Sequence, residues 1–240
     1  MKIPRRRGKK AASHVGVVIS FVIFITFLTF LYSILIEPSV NKSSKESVLE
    51  SLKINAKEYL SSDLTTITIM IKNMPQACIR LNGLISDSGI NSRIIVKNEE
   101  EEVQTAYVLS DDLEISRDNL DDVFFKIYST ENFAEVSSEG ETPCNPTTHE
   151  KGLVRTKNYV SEKKVSNLLD DYETSYETLK KDLQISSGNE FGFGFIYSNK
   201  TVVKTKETPE TLDIYAVEIP VQYFDSDAKV HVGRINLRVW

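Results

Sequence analysis

The chain has 240 residues, of which 40% are hydrophobic and 26% are charged, and its formal net charge is −5. Six of its 29 basic residues and none of its acidic residues lie in the first ten positions, so the rest of the chain has 23 basic residues against 34 acidic ones, a balance of −11. This acidic balance argues against nucleic acid, and against anionic lipid headgroups, as partners of the remaining chain.

The N-terminal residues predict a membrane anchor. A basic leader, residues 1–14, precedes residues 15–36, which contain no charge. A helix of that length spans about 33 Å, enough to cross a bilayer core. Short basic flanks stay on the cytoplasmic side, so residues 37–240 are expected to form one domain outside the cell membrane. A cleaved signal peptide is the alternative, but its apolar core has only about 7 to 15 residues and ends in small residues, unlike residues 35–38.

After the anchor, the sequence predicts a short hinge at residues 38–42 and then an amphipathic helix. Ser43 precedes Glu46 by three residues, the spacing of a capping box, which marks a helix start. Apolar residues then recur at helical spacing as far as Leu60, while the other face is charged. This helix is expected to pack on the sheet that follows, or on copies of itself.

Alternation of apolar and polar residues predicts the strands. Ile67, Ile69 and Ile71 alternate with polar residues and predict a half-buried strand that starts at Leu64. Further strands are expected at residues 78–85, 93–97, 103–109, 113–116, 123–128, 190–197, 212–224 and 229–240. The acidic run at residues 98–102 is predicted to be a solvated hairpin tip. The polar stretch 130–148 is predicted to be a long loop.

A second amphipathic helix is predicted from Ser161 to Leu183, with one apolar stripe. The stripe contains Val165, Leu168, Leu169, Tyr172, Tyr176, Leu179 and Leu183. We expect Tyr172 and Leu179 to lie under the strand that contains Phe193 and Phe195. The glycines of that strand are interpreted as close packing positions, because no lysine follows them at the spacing of a phosphate-binding loop.

These elements predict an α+β fold, with a single N-terminal transmembrane helix followed by a mainly antiparallel β-sheet domain with two amphipathic helices. No enzyme activity and no cofactor are predicted. Outside the anchor only His149 and His231 are available as bases, and neither belongs to a zinc-protease motif. Adjacent carboxylates such as Asp111-Asp112, Asp121-Asp122 and Asp170-Asp171 rarely point into one cleft.

The two cysteines, Cys78 and Cys144, are both expected outside the membrane, where a disulfide between them would persist. The alternative is two separate thiols, with Cys78 buried in a strand and Cys144 exposed in a loop. No metal site is predicted, because no histidine pair or CxxC motif accompanies them.

Two Asn-X-Ser/Thr sequons predict glycosylation, at Asn41 and Asn199. Asn199 is the better acceptor, because it follows the phenylalanine-rich strand at a predicted turn. Asn41 lies only five residues beyond the apolar segment. In the turn at residues 225–228, Asp225 and Asp227 are interpreted as turn-forming residues rather than calcium ligands.

The N-terminal order of Arg5-Arg6-Arg7-Gly8, a long apolar helix and an outer sheet domain resembles the archaeal type IV pilin-like proteins. This resemblance implies that a peptidase cuts after Gly8 and that the helices pack in a filament core. The sequence departs from the pattern in two ways: Lys9 and Lys10 would remain after the cut, and Ser13 occupies the place where bacterial-type pilins have glutamate. The sequence therefore leaves two functions open, an anchored surface protein with a structural or binding domain, and a subunit of a surface filament. The bilayer is the expected partner of the helix, and other surface proteins or copies of the chain are the possible partners of the domain.

Overall fold

The computed structural model describes residues 11–72, 75–140, 144–206 and 213–240, and within residues 11–13 and 34–44 it describes the backbone alone. The contacts divide the chain into two compact units, Met1–Val48 and Leu49–Trp240. Gly8 and Lys9, which carry the predicted processing site, lie outside the described residues.

The first helix, α1 (Ala11–Leu60), contains the predicted apolar segment. Its stretch His14–Ser33 is long and apolar enough to cross a membrane, and none of that stretch is buried within the structure. Phenylalanines such as Phe21 and Phe24 are more than half exposed. A contiguous apolar surface of this size is unusual on a protein surrounded by water alone.

The predicted hinge at residues 38–42 and the helix start at Ser43 are wrong, because the backbone of α1 is helical throughout. Pro38 lacks a backbone N–H and so removes one helical hydrogen bond. The helix-forming stretches on both sides of it are long, and the loss of one donor does not end the helix.

The described residues hold thirteen strands and three more helices. The strands are β1 (Ser61–Ile71), β2 (Cys78–Leu81), β3 (Ile94–Lys97), β4 (Val103–Gln104), β5 (Ala106–Leu109), β6 (Asp112–Ser116), β7 (Phe124–Ser129), β8 (Asn145–Pro146), β9 (His149–Ser161), β10 (Phe191–Ile196), β11 (Val202–Lys204), β12 (Tyr215–Phe224) and β13 (Val230–Val239). The helices are α2 (Leu84–Ser88), α3 (Glu162–Thr174) and α4 (Tyr176–Asp182).

The strands form two sheets. The larger has nine strands in the order β11-β10-β13-β12-β9-β1-β7-β3-β4, and the smaller has four in the order β5-β6-β2-β8. All neighbouring pairs are antiparallel except β9 with β12 and β2 with β8, which are parallel. The fold is therefore α+β, with a mostly antiparallel mixed sheet, as the sequence predicts.

The main core lies between the two sheets. Ile67, Ile69 and Ile71 of β1 are buried there, as predicted, together with apolar residues of β7 and β3. They pack against apolar residues of β2, β5, β6 and α2, which belong to the smaller sheet and its helix. The period of two thus places one face of β1 in the core and leaves the other face to the surface.

A second buried region joins the end of α1 to α3 and α4. The Asn55 side chain donates a hydrogen bond to the backbone oxygen of Leu183 at 2.9 Å. The Tyr59 hydroxyl donates to the Asp171 carboxylate at 3.1 Å. Leu49, Leu52, Ala56 and Leu60 are buried, whereas Ile54 is exposed. These bonds attach the segment to α3 and to the end of α4, whereas the sequence predicted packing on the sheet or on copies of the chain.

The predicted second helix starts where expected but is broken in two at Ser175. The backbone there has φ −142° and ψ 41°, and the Ser175 hydroxyl donates to the backbone oxygen of Asp171 at 3.2 Å. Serine side chains that bond the nearby backbone compete with helix formation, which explains the break. The apolar stripe survives it, since Leu168 and Leu179 are both fully buried.

Tyr172 contacts the predicted strand at Phe191, and it is only partly buried, whereas Leu179 is buried as predicted. The Tyr172 hydroxyl donates to the backbone oxygen of Phe191 at 2.9 Å, and the two rings lie 5.3 Å apart, edge to face. Burial is the main cause that raises the pKa of Tyr172. Phe193 and Phe195 are buried in the same strand, and a side chain at Gly192 would meet the ring of Trp240. Gly192 therefore leaves room for an aromatic ring, whereas the sequence predicted that a helix packs on these glycines.

Several strand predictions need correction. The strand predicted at residues 103–109 is two strands, β4 and β5, which belong to different sheets. β11 is not predicted, and the predicted loop 130–148 contains the two-residue strand β8.

The strand predicted at residues 78–85 ends at Leu81, because Gly83 takes a positive φ of 68° in the turn that leads into α2. The 13-residue strand β9 is not predicted at all. Its residues from Glu150 to Asn158 are exposed on both faces, so the alternation that marks a half-buried strand is missing.

Candidate functional site

The described histidines of the domain do not form a catalytic arrangement. His231 Nε2 lies 2.8 Å from Asp225 Oδ2, while His149 begins β9. Asp225 Oδ1 also accepts the backbone N–H groups of Asp227 and Lys229, at 2.9 and 2.8 Å. Partial burial alone would raise the pKa of Asp225, but the hydrogen bonds from His231 and from these N–H groups hold it below its ordinary value. Asp225 therefore organises the turn, as predicted.

The adjacent carboxylates have structural partners. Asp112 accepts the backbone N–H of Gly83 at 2.8 Å, which fixes the turn before α2. Asp122 accepts a hydrogen bond from the Asn98 amide at 3.1 Å. Asp171 of α3 accepts a tyrosine hydroxyl of α1. These groups lie in three different elements and share no cleft.

Cys78 and Cys144 are joined by a disulfide, so the alternative of two separate thiols does not describe this structure. The bond ties the polar loop after β7 to the start of β2. Glu114 lies beside the two sulfurs and is 1% exposed, and its Oε1 accepts a hydrogen bond from Arg80 Nε at 2.7 Å. Because both sulfurs are used in the disulfide, these three residues do not form a thiolate metal site.

The two glycosylation candidates differ in what the structure describes. Asn199 is exposed in the turn between β10 and β11, and its Oδ1 accepts the backbone N–H of Thr201 at 2.9 Å. Its exposure agrees with the predicted acceptor role, and its modification stays a prediction. The side chain of Asn41 lies outside the described residues, so that prediction is untested.

A basic depression lies on one face of the larger sheet. It has a volume of about 330 Å³ and is lined by residues of β1, β7, β9 and β13. Lys126, Arg155 and Lys157 supply three cations, Tyr128 and Tyr159 supply aromatic rings, and no carboxylate is among the described lining residues. A depression of this charge is unexpected in a domain with a balance of −11. Such a concave patch favours an acidic partner.

A buried lysine lies next to this depression. Lys97 is fully buried, and its Nζ lies 3.8 Å from Glu101 Oε2 and 5.4 Å from the centre of the Tyr128 ring. Burial lowers the pKa of Lys97, although the charge of Glu101 opposes this shift. Glu101 also pairs with Lys126. The sequence predicted that the acidic hairpin tip is solvated. This is only partly correct, because Glu101 pairs with both Lys97 and Lys126.

β9 borders the depression and presents an open edge. Its other edge pairs with β1 from His149 to Val160. On the open side β12 pairs only with Val160 and Ser161. Within the described part of the chain, no backbone group makes a hydrogen bond to this side of residues 150–158. An edge of this length is able to pair with an additional strand.

A larger cleft lies near the start of α3. It has a volume of about 620 Å³, within the usual range for small-molecule pockets. Its floor contains Phe133 and Phe224, whose rings meet edge to face at 5.9 Å. Three carboxylates, of Glu135, Glu162 and Asp225, line it with one cation, Lys163, so its charged groups are mostly negative. Their charges disfavour an anion, so the cleft suits an apolar group.

A third, polar cleft of about 540 Å³ lies between α1, α3 and α4 within the folded unit. Four of its eight described lining residues, Asn55, Tyr59, Lys164 and Asp171, bond to one another or to the backbone. Asn55 and Tyr59 bond to Leu183 and Asp171, and Lys164 Nζ donates to the backbone oxygen of Ser61 at 2.7 Å. Burial, followed by the hydrogen bond to Asp171, raises the pKa of Tyr59 to about 12. These bonds hold the helices together.

The chain matches no protein-family model, no curated protein and no solved structure.

Sequence reasoning missed the basic depression, although one signal was present. Arg155 and Lys157 lie two residues apart in residues 151–161, which contain no acidic residue. A spacing of two residues places both side chains on one face if the segment is a strand. Without the strand assignment, they were no more than solvated charges.

Proposed function

We propose that this chain is a non-enzymatic, single-pass surface protein, held in the cell membrane by its N-terminal helix, with a binding domain outside. The observation that carries the proposal is the stretch His14–Ser33, which is apolar, long enough to span a bilayer and wholly unburied. The basic leader favours a cytoplasmic N-terminus. The Cys78–Cys144 disulfide suits an oxidising compartment on the other side.

Alkaline carbonate washing of membranes tests the anchor. The unaltered chain is expected to stay in the membrane pellet. The double variant Phe24→Lys/Phe27→Lys is expected to be released, because each lysine at the centre of a spanning helix costs about 2.5 to 3.5 kcal/mol on insertion scales. The exposed position Val232 supplies the matched control, and Val232→Lys is expected to stay in the pellet.

Release of the unaltered chain by carbonate would contradict the anchor directly. Retention of the double-lysine variant would contradict it too, since the apolar segment would then not be what holds the chain. Circular dichroism of each variant in detergent separates a lost anchor from a lost fold.

A filament subunit, processed after Gly8, is the second candidate function. The observation that favours it is the length of α1, whose 50 residues join the apolar segment to buried positions such as Leu52 and Leu60 in one helical element. A filament subunit is expected to have such a helix, with its apolar part in the filament core and its other end in the surface domain. The mass of the native N-terminus discriminates the two: a chain that begins at Lys9 supports processing, and an intact leader supports the static anchor.

A further inference from the structure

We propose that the open edge of β9 binds an extended, acidic segment of a partner protein, which adds to the larger sheet as a further strand. This inference specifies what the outer domain binds, and it therefore rests on the proposed function of that domain in binding. The segment would form backbone hydrogen bonds with β9 and place alternate carboxylates over the basic depression.

The free edge is long and accessible. Nine consecutive residues, 150–158, are exposed, and only Val160 and Ser161 meet β12. Leu153 is 61% exposed, so an apolar side chain stands in solvent beside unpaired backbone groups. Proteins usually cover or shorten such edges, because they recruit other strands. An edge left open over this length fits the strand-addition mode of peptide recognition.

The neighbouring edge is protected, and this contrast singles out β9. β12 also turns an open edge toward the gap, since it pairs with β9 only at Tyr223 and Phe224. It carries Pro220 in the middle of the strand. Proline cannot donate a hydrogen bond to an added strand and commonly blocks edges. β9 has no proline, so its edge keeps all its backbone donors.

Charge selects the partner. Arg155 and Lys157 line the depression and form no ion pair with any described residue, whereas Lys126 is already paired with Glu101. A second copy of this chain, added edge to edge through its own β9, would bring these cations against their equivalents. Like charges placed opposite each other on paired strands are destabilising. The complementary occupant is therefore an acidic segment.

The spacing of the cations fits an added strand. Residues two apart in a strand point to the same face, about 6.6 Å apart. Leu153, Arg155, Lys157 and Tyr159 alternate in this way and all line the depression. A partner strand with carboxylates at every second residue would place them beside the two cations. Its flanking side chains would lie beside the leucine and the tyrosine.

Fluorescence anisotropy with a defined peptide tests the proposal. The probe is a fluorescein-labelled, end-capped nine-residue peptide of alternating glutamate and threonine, titrated with the full-length chain in neutral detergent. Saturable binding is expected. The variant Arg155→Glu/Lys157→Glu is expected to weaken it by about tenfold or more, since charges across an interface are reversed. The control variant is Lys163→Glu/Lys181→Glu, which changes the net charge by the same amount at two exposed residues that do not line the depression. It is expected to bind the peptide as the unaltered chain does.

Backbone methylation separates strand addition from simple attraction of an anion. Two further peptides keep every side chain but carry N-methyl groups on the odd or on the even backbone nitrogens. At least one of them is expected to lose binding, because one edge of its backbone can no longer donate. If both methylated peptides bind like the parent peptide, the patch is an anion site and the proposal is overturned. The same holds if heparin, which has no peptide backbone, competes through Arg155 and Lys157 as strongly as the parent peptide does. Absence of any saturable peptide binding overturns it too. The carbonate test of the anchor stands apart from all of these results.

Discussion

Replacement of Leu179 with alanine is expected to lower the free energy of unfolding by about 2 to 5 kcal/mol. Leu179 lies in α4 and is 1% exposed. Its removal leaves a cavity where the helices meet the larger sheet, and the surrounding structure closes such cavities only in part. Neighbouring contacts hold α4 in place, since Lys180 Nζ lies 2.9 Å from Glu190 Oε1 at the start of β10. The residues around Leu179 can therefore close the cavity only in part.

Urea unfolding of the full chain in detergent measures this effect, with the single tryptophan, Trp240, as the probe. Trp240 pairs by backbone hydrogen bonds with Glu190, so its fluorescence reports on the sheet under the helices. Ile54→Ala is the matched control, because Ile54 is 65% exposed and its loss should change stability by about 0.5 kcal/mol or less. If Leu179→Ala costs no more than this control, α4 does not cover the core.

The double variant Cys78→Ser/Cys144→Ser is expected to lose about 4 kcal/mol of stability in the chain-entropy account of a loop this long. The disulfide joins residues 66 positions apart, and it closes the longest polar loop of the domain against β2. Without it, the unfolded chain gains freedom and the loop loses its attachment beside the buried Glu114.

Reduction of the unaltered chain provides the internal control for this prediction. The reduced chain should unfold at the same urea concentration as the double-serine variant, and the reductant should not affect that variant. Peptide mapping of native material without reduction should recover the linked peptides. If both cysteines are alkylated without prior reduction, the disulfide is absent in the native compartment and the expected loss of stability has no basis.

The parts of the fold that follow from local patterns could be predicted from the sequence. The isoleucines of β1 alternate, and the tertiary structure buries them as that period requires. The uncharged run at the N-terminus predicts a helix in any apolar environment. Hairpins such as β12 and β13 follow from two apolar patterns around a turn of small and acidic residues.

Other parts depend on contacts that no local pattern encodes. β9 is a strand because β1 offers it a long antiparallel partner, not because its own residues alternate. Ser175 breaks a helical stripe that the sequence presents as continuous, since a hydroxyl bonds the backbone one turn earlier. Leu81 ends its strand because the following turn requires the positive φ of Gly83.

Less of the candidate site than of the fold could be predicted from the sequence. The disulfide could be predicted, because the chain has only two cysteines and each has only one candidate partner. The basic depression draws on four strands, of which β13 is far from β1 in the chain. The burial of Lys97 likewise depends on Tyr128 and Glu101, which meet it only after folding.

The central claim is that the folded domain lies outside a membrane that the N-terminal helix crosses. Labelling of intact cells with a membrane-impermeant, lysine-reactive biotin reagent, followed by mass spectrometry of the modified peptides, tests it most directly. Lys151 and Lys163, which are exposed, should be labelled in intact cells, and Lys2 of a retained leader only after permeabilisation. The buried Lys97 should stay unlabelled in both until the domain is unfolded. Labelling of Lys151 and Lys163 only after permeabilisation would place the domain inside and contradict the account.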